Sequence, residues 1–336
     1  MIETITRSLT LLLVVTFLSG CGNDQEGSRS ALNARQDTIT VCSFNIQFLG
    51  SFQKRDNGAL TDLLKNYDII VVQELVAPPV DGIYPNGESY LADEEAASFF
   101  DAMKNLGFEY LLSNEDTGTG DEIHTSASST EWWVTFFKPN RVSPATNLPS
   151  GFLADDRSNN DDYERVPYAF AFRSANNNLD FVLISVHLMP GSSTGAKNRR
   201  RHELSSIAAW VKAHNQGERD FIILGDMNIE DQVELVVNTP EGFHSLNDEC
   251  RKTNTIMTPG GERPYDHVMY DTLYTVTEID RQFDFDVIDL IEAMRPSWTS
   301  GDPYPGDPYD HNLFKQYYSD HHPVIFRMVT PSRDDD

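Results

Sequence analysis

The segment DFIILGDMN, residues 220–228, joins an apolar run to polar side chains that follow it at once. The uninterrupted apolar run 221–224 is typical of a strand that is covered on both faces of a sheet. Asp226 and Asn228 stand just beyond this run. A plain turn would also contain these two residues, so the segment predicts a strand of an α/β sheet and leaves the role of its polar end open.

The same arrangement recurs along the chain. The other polar groups at apolar strands are Asn45 after VCSF, Gln73-Glu74 after DIIVV, His187 after FVLISV and Asp320-His321 before PVIF. Strand ends at one edge of an α/β sheet converge on one cleft. A single polar strand end is usually a solvated one, but this recurrence predicts a shared site.

Many short strands alternate with a few helices, and no shift in composition divides the middle of the chain. We therefore expect one α/β domain over residues 38–330, followed by an acidic tail at 331–336. The predicted strands are Thr38–Phe44, Asp68–Val72, Glu131–Phe137, Tyr168–Phe172, Asp180–Val186, Asp220–Leu224, His267–Tyr270 and Val324–Val329, and the predicted helices are Asp56–Asn66, Asp93–Leu106 and Asn198–His214.

The 336 residues include 26 Lys and Arg against 52 Asp and Glu, for a net charge of −26. With 39% hydrophobic residues the chain can bury a sizeable core, which excludes wholesale disorder. The acidic excess argues against tight, non-specific nucleic-acid binding, which needs clustered Lys and Arg. It still allows a phosphate ester as a transient substrate, and carboxylates are the ligands that hard divalent cations prefer.

The N-terminal residues 1–20 are expected to be a signal peptide, because the apolar run from Leu9 to Leu18 is shorter than the roughly 20 residues of a membrane span. LSGC (18–21) resembles a bacterial lipobox, which implies that Cys21 is acylated and that residues 21–37 form a flexible tether to a lipid bilayer. Gly22 favours the outer membrane of the bacterial envelope. An ordinary secretory signal, and so a secreted or periplasmic protein, is the alternative.

Seven motifs occur in an order that is specific as a set: SFNIQ (43–47), QEL (73–75), RVP (165–167), SVHL (185–188), GDMN (225–228), YDH (265–267) and SDHHPV (319–324). With them the chain resembles the endonuclease/exonuclease/phosphatase superfamily, and most closely deoxyribonuclease I-like nucleases. This resemblance implies a four-layer α/β sandwich with two packed mixed β-sheets flanked by helices. It also implies a Mg²⁺-dependent phosphodiester hydrolase, of the deoxyribonuclease-like endonuclease type, that acts by in-line water attack.

For the metal, the resemblance implies that Glu74 is the main Mg²⁺ ligand, with Asn45 and Asp320 near the ion. Hard divalent cations prefer carboxylate and amide oxygens and keep several waters, so a site with few protein ligands is reasonable. Mn²⁺ or Ca²⁺ stays open as an alternative ion.

For catalysis, the resemblance implies that His187 and His321 flank the phosphorus atom. Asp266 would orient His321, and Glu131 would orient His187. Imidazole suits acid or base chemistry because its pKa lies near neutral pH. We favour His321 as the base, although which histidine is base and which is acid stays open at this stage.

The resemblance also implies that three further residues contact the substrate or the attacking water. Asp226 would orient or deprotonate the water, and Asn228 would hydrogen-bond a phosphoryl oxygen. Arg165 would bind the phosphate through charge-assisted hydrogen bonds.

Two groove contacts of deoxyribonuclease I are missing, which puts duplex specificity in doubt. After Gln73-Glu74 that enzyme has an arginine that enters the DNA minor groove, whereas this chain has Leu75 and Val76. Ser129 takes the place of its tyrosine that stacks on a sugar. DNA is expected as substrate in preference to RNA, for a monomeric enzyme. The alternatives are a phosphatase or phospholipase for phosphoinositide, sphingomyelin-like or sugar-phosphate substrates, and a non-catalytic binding lipoprotein.

Residues 197–202 form a basic cluster that predicts either a solvated helix face or contacts to backbone phosphates. In the second case Arg199 and Arg200 would relieve the negative charge locally, together with Arg165. Cys42 and Cys250 could pair in an oxidising envelope or stay free, and the sequence leaves both possibilities open.

Overall fold

The structure, a computed structural model, describes residues 38–52, 54–118, 130–157, 160–331 and 334. The expected signal peptide, Cys21 and the tether lie outside these ranges, as do Ser129 and most of the acidic tail. Within the described ranges, none of the helices combines the length and apolar character that a membrane crossing requires.

The described part of the chain contains short strands and a few helices, as the sequence predicts. Its strands are β1 Thr38–Leu49, β2 Ile69–Leu75, β3 Gly82–Ile83, β4 Ser89–Tyr90, β5 Glu109–Leu112, β6 Trp132–Phe137, β7 Val142–Pro144, β8 Gly151–Phe152, β9 Tyr168–Ser174, β10 Asp180–His187, β11 Phe221–Asp226, β12 Phe243–Ser245, β13 Asp266–Asp271, β14 Phe285–Val287 and β15 Val324–Val329. Its helices are α1 Asn57–Leu64, α2 Glu94–Asn105, α3 Thr194–His214, α4 Gln232–Asn238, α5 Leu290–Met294 and α6 His311–Tyr317, with 3-10 turns at Thr275–Thr277 and Arg295–Ser297.

Two large mixed sheets organise these elements. The first has six strands in the order β14-β15-β1-β2-β6-β5, and the second has the order β12-β13-β11-β10-β9-β7, with β8 also paired to β9. β1 and β2 run parallel, as do β10 and β11, whereas their outer neighbours are antiparallel. The carboxyl ends of these two parallel pairs carry Asn45, Glu74, His187 and Asp226, and Asp320 and His321 precede the antiparallel β15 at the same edge of the first sheet.

The layers follow from which face each apolar side chain covers. Val71 of the first sheet and Phe172 of the second belong to one buried cluster between the sheets. Phe99 of α2 packs on the outer face of the first sheet, and Ile207 of α3 packs on the outer face of the second. These helix–sheet–sheet–helix layers confirm the predicted four-layer sandwich.

Helix α3 begins four residues before the predicted start at Asn198. Its N-cap is Ser193, whose side chain accepts a hydrogen bond from the backbone N–H of Ala196 at 3.1 Å. This cap satisfies a free N–H at the helix start, and the earlier start adds Lys197 to the helix. The short strands and helices missing from the sequence prediction, such as β3, β12 and α4, have too few residues to show a periodic pattern.

Gly225 allows β10 and β11 to approach closely next to the polar strand ends. It lies beside Val186 in the parallel register, and its φ of +138° is one that other residues rarely adopt. A Cβ at this position would lie 2.1 Å from the carbonyl oxygen of Val186. The glycine thus permits the spacing at which His187 stands beside Asp226.

We expect Gly225→Ala to destabilise the protein by about 3 kcal/mol or more, because both the backbone angle and the contact with β10 are unfavourable. Urea unfolding followed by circular dichroism measures this loss. Gly242→Ala is the matched control: its φ is +89°, but no heavy atom lies within 4 Å of the added Cβ. The control should lose only about 1–2 kcal/mol. Equal losses for both variants would contradict the role of the close approach.

Candidate active site

The register of the second sheet places three of the predicted site residues in one row. His187 ends β10 and is paired with Asp226, which ends β11. Asp226 is in turn paired with Asp266, the first residue of the antiparallel β13. All three side chains are buried. The sheet itself therefore brings together residues that lie far apart in the sequence.

Glu74 contributes from the first sheet through an irregular strand. The pairing of β2 with β6 shifts register between Val72 and Leu75, and Glu74 has a φ of +63°. Its backbone N–H donates to Glu131 Oε2 at 3.1 Å. Such bulges redirect a side chain at the end of a strand, and positive φ values in non-glycine residues are concentrated at functional sites.

Asp226 lies at the centre of the cluster. Its Oδ2 accepts a hydrogen bond from Asn45 Nδ2 at 3.0 Å. The same oxygen lies 3.5 Å from Nε2 of His187 and 3.5 Å from Nε2 of His321. One carboxylate thus contacts residues from both sheets, which is the convergence that the strand ends predict.

His321 precedes β15 of the first sheet but contacts carboxylates of the second. Its Nδ1 lies 2.8 Å from Asp266 Oδ2. Burial lowers the pKa of His321, but the carboxylates of Asp266 and Asp226 outweigh burial and hold this pKa well above its ordinary value. The contact with Asp266 fixes Nδ1, so that Nε2 faces Asp226.

His187 has a similar arrangement on the other side of Asp226. Its Nδ1 lies 2.6 Å from Glu131 Oε1. Burial and the Arg165 guanidinium lower the pKa of His187, but the carboxylates of Glu131 and Asp226 raise it above its ordinary value. The two imidazoles therefore face one carboxylate, and each has a second carboxylate behind it.

Arg165 and Asn228 both lie in the cluster, although their polar groups already have protein partners. Arg165 Nε lies 2.8 Å from Glu131 Oε1. Asn228 has a φ of +51°, donates its backbone N–H to Asp226 Oδ1 at 2.9 Å, and donates Nδ2 to Leu188 O at 3.1 Å. Arg165 and Asn228 thus lie beside the cleft. Through Glu131 and Leu188 they also stabilise the segment that carries His187.

The acidic side of the cluster fits a divalent cation. Burial raises the pKa of Glu74 to about 7, and the carboxylates of Asp320 and Glu131 add to this rise while His187 opposes it. Asp320 Oδ1 is buried and has no hydrogen-bond partner among the described residues. A bound cation would stabilise the ionised form of Glu74 and would give Asp320 Oδ1 a partner. Oxygen donors are the ligands that Mg²⁺, Mn²⁺ and Ca²⁺ prefer.

Two groups of side chains have ligand atoms close enough to share an ion. They are Glu74–His187–Asp226 and Asp226–Asp266–His321, with the ligand atoms of each group within 4.8 Å of one another. Asn45 presents Nδ2 to Glu74 Oε1 at 2.9 Å, while its Oδ1 accepts the backbone N–H of Gln47. Of the three expected ligands, Glu74 is in one of these groups, Asn45 donates a hydrogen bond to Glu74, and Asp320 is close enough to raise the pKa of Glu74.

The prediction that Arg200 relieves the charge of the cleft is wrong. Its side chain is fully buried, lies 2.6 Å from Glu234 Oε1, and donates to the backbone carbonyl of Met189. Lys197 is paired with Glu230 at 2.9 Å. Acidic partners of the protein itself, Glu230 and Glu234, therefore neutralise this part of the basic cluster.

Sequence reasoning missed Glu203, which supports the site from behind. Its buried carboxylate accepts backbone N–H groups of Glu164 at 2.8 Å and Met189 at 3.0 Å. These two residues adjoin the segments that carry Arg165 and His187. The only sequence signal was an acidic residue inside the basic run RRRHEL, which is weak by itself.

Cys42 and Cys250 are both free thiols, which answers the question left open by the sequence. Cys42 is buried in the cluster between the first sheet and helices α1 and α2. Cys250 packs against the cluster on the α3 side of the second sheet. The two cysteines therefore lie in different layers.

Comparison with known proteins assigns the class. Residues 42–321 match the family model of the Endonuclease/Exonuclease/phosphatase family, and the chain belongs to this family. The predicted family membership is thereby confirmed, and the protein is a hydrolase that acts on phosphoester bonds. A comparison with curated protein sequences gave no match.

Several solved structures share the fold. An endonuclease/exonuclease/phosphatase family protein from Bacteroides thetaiotaomicron has 15% identity and a TM-score of 0.54, with 88% of this chain and 98% of that chain covered. The mannosyl-6-phosphatase of the same species has 15% identity and a TM-score of 0.53, with 87% and 99% covered. D. rerio TDP2 complexed with single strand DNA product has 13% identity and a TM-score of 0.51, with 87% and 99% covered. At these identities the similarity shows the fold alone.

Proposed function

We propose that this hydrolase cleaves phosphodiester bonds of DNA, as a Mg²⁺-dependent endonuclease that uses in-line attack by water. The observation that carries the proposal is the position of Asp226 Oδ2, 3.5 Å from Nε2 of both His187 and His321. Two imidazoles that face one carboxylate can accept a proton on one side of a phosphate and donate one on the other.

The attacking water is the first group to be positioned. Asp226 would orient it, and His321 would accept its proton at Nε2. Asp266 keeps Nδ1 of His321 occupied and stabilises the imidazolium that forms. His321 acts as a base only when it is neutral, and because its pKa is raised, the active fraction increases with pH.

His187 would act on the opposite side of the phosphate, by donating a proton to the leaving oxygen. Glu131 has to be ionised to support this imidazolium. Burial raises the pKa of Glu131, but His187 and Arg165 together lower it below its ordinary value. We therefore assign two roles to Arg165: to bind the phosphate and to keep Glu131 charged.

Glu74 would hold Mg²⁺ with Asn45 and Asp320 beside it. When bound, the ion would neutralise charge that develops on the phosphate oxygens. The predominance of carboxylates around the cleft supports this assignment, because an anionic phosphate would otherwise be repelled. Asn228 lies beside Asp226, where its amide would meet a phosphoryl oxygen.

A phosphatase for small substrates, such as sugar phosphates, is the second candidate. The observation that favours it is the burial of Arg200 and the pairing of Lys197, which leave fewer cations for a long nucleic-acid backbone. One similar structure is a mannosyl-6-phosphatase. The chemistry at Asp226 would be the same, and only the substrate would differ. A phospholipase for phosphoinositide or sphingomyelin-like lipids belongs to the same alternative.

A substrate panel separates these candidates. We expect the protein to nick plasmid DNA in Mg²⁺, to lose this activity in EDTA, and to slow down as salt increases. RNA, mannose 6-phosphate and phospholipid vesicles are assayed in parallel with the same protein. Faster hydrolysis of mannose 6-phosphate or of a lipid would favour the second candidate. No hydrolysis with Mg²⁺, Mn²⁺ or Ca²⁺ would overturn the proposal in favour of a binding protein.

A further inference from the structure

Arg55 has a fully buried side chain close to the candidate metal site. It lies in the loop between β1 and α1, and its guanidinium donates to three backbone carbonyls and one carboxylate. Nη1 donates to Ile46 O at 2.6 Å and to Tyr318 O at 2.5 Å, and Nη2 donates to Gln47 O. A buried guanidinium with so many partners fixes the geometry of the segments it joins.

Two of these carbonyls belong to peptide groups whose N–H faces a candidate metal ligand. The peptide that contains Ile46 O also contains the N–H of Gln47, which donates to Asn45 Oδ1 at 3.0 Å. The peptide that contains Gln47 O also contains the N–H of Phe48, which donates to Glu74 Oε2 at 3.0 Å. Arg55 thus donates hydrogen bonds to the carbonyl oxygens of two successive peptide groups, and the N–H groups of the same two peptides donate to Asn45 and Glu74.

The backbone at this point needs such support. Gln47 and Phe48 have φ values of +58° and +51°, which non-glycine residues rarely adopt. Glu95 adds to the support, because Oε1 lies 2.6 Å from Arg55 Nε and Oε2 accepts the N–H of Gly50. The Arg55–Glu95 pair therefore stabilises a turn that would be unfavourable by itself.

The third carbonyl connects this turn to the remaining candidate ligand. Tyr318 lies two residues before Asp320, and the N–H of Asp320 donates to Gln47 Oε1 at 3.1 Å. One guanidinium consequently holds both chain segments that approach the proposed ion, the end of β1 and the residues before β15. The arginine also brings a positive charge close to Glu74 and Asp320 before any cation binds.

We propose that Arg55, paired with Glu95, is a positioning residue for the metal site: it orders two peptide groups that orient Asn45 and Glu74 and fixes the segment that carries Asp320. This inference rests on the proposed function, which places a divalent cation at Glu74. Lysine cannot reproduce the fork of donors, so Arg55→Lys should disturb the ligands while it keeps the charge.

The test is Mn²⁺ binding in the absence of substrate. The concentration of free Mn²⁺ is measured from its electron paramagnetic resonance signal. We expect Arg55→Lys to weaken Mn²⁺ binding about tenfold, as is common when groups behind metal ligands are changed. In the activity assay the Mg²⁺ concentration for half-maximal rate should rise, with kcat largely restored at saturating Mg²⁺. Glu95→Gln keeps the three carbonyl contacts and should give a smaller shift in the same direction.

Arg141→Lys is the matched control. Arg141 pairs with Asp68 at 3.2 Å and donates to Thr38 O, at the opposite end of β1. The Arg141→Lys variant should be less stable than wild type but should bind Mn²⁺ with the same affinity. Equal Mn²⁺ affinities for wild type, Arg55→Lys and Arg141→Lys would overturn the inference while leaving the metal site intact. Wild-type protein that binds no more Mn²⁺ than Glu74→Gln would instead overturn the proposed function.

Discussion

Replacing His321 by alanine is expected to lower kcat about 1000-fold, the scale of a lost general base. The wild-type rate should increase with pH, because the base has to be neutral and its pKa is raised by Asp266 and Asp226. At saturating Mg²⁺, where the titration of Glu74 does not limit the rate, His321→Ala should lose this dependence. The nicking rate of plasmid DNA, measured from pH 6 to pH 9, gives both the loss in kcat and the pH dependence. If the substrate panel shows faster hydrolysis of another substrate, the same measurement is made with that substrate.

His322→Ala provides the control one residue away. His322 is also buried, but its Nδ1 accepts the N–H of Leu290 at 2.9 Å, away from Asp226. Burial lowers its pKa to about 4, so it is neutral at every pH of the assay. This variant should lose stability and keep a kcat close to that of wild type. If His321→Ala kept its activity as well, the assignment of the base would be wrong.

Replacing Glu74 by glutamine is expected to abolish metal-dependent activity and at the same time to stabilise the metal-free protein at pH 8. The pKa of Glu74 is about 7 in the folded state, above the ordinary value of 4.5. Folding therefore favours the protonated form of Glu74. The contribution of this group to the free energy of unfolding is largest below pH 4.5 and is lost as the pH rises through 7. The full effect of this one group is about 3 kcal/mol.

Glutamine has no charge to bury, but it can accept only one of the two hydrogen bonds that Glu74 accepts from Asn45 and Phe48. We therefore expect the free energy of unfolding of metal-free Glu74→Gln to exceed that of wild type by about 1–2 kcal/mol at pH 8 and to equal it at pH 4. Urea unfolding in EDTA at both pH values measures it. Addition of Mg²⁺ should stabilise only the wild type, because a ligand stabilises the state that binds it. A variant that Mg²⁺ stabilises as strongly as wild type would refute the role of Glu74.

The sequence allowed the strands and the centre of the candidate site to be predicted because both depend on local patterns. Apolar runs mark the strands, and the polar residues directly after or before them include Glu74, Asp226 and His321. Parallel neighbours end at the same edge of a sheet, so proximity follows once the sheet order is known. The resemblance to a family supplied the two packed mixed sheets, whereas periodicity alone supplied only the strands, and the strand order came from the structure.

The residues that support the site were not predictable in this way. Arg55 and Arg200 are long cationic side chains, for which exposure is the normal expectation. Their burial depends on Glu95 of α2 and Glu234 of α4, and on carbonyls that only the folded backbone brings near. Positive φ angles at Gln47 and Glu74 also leave no trace in side-chain periodicity. Such features depend on tertiary contacts, which local sequence does not encode.

The direction of β1 has a consequence for access to the cleft. The chain enters the domain at Thr38, and Asn45 lies seven residues further along the same strand, about 23 Å away at 3.3 Å per residue. Thr38 therefore lies at the end of β1 remote from the carboxylates of the candidate site. Substrates reach the cleft from the edge of the first sheet opposite to Thr38, where the carboxyl end of β1 lies.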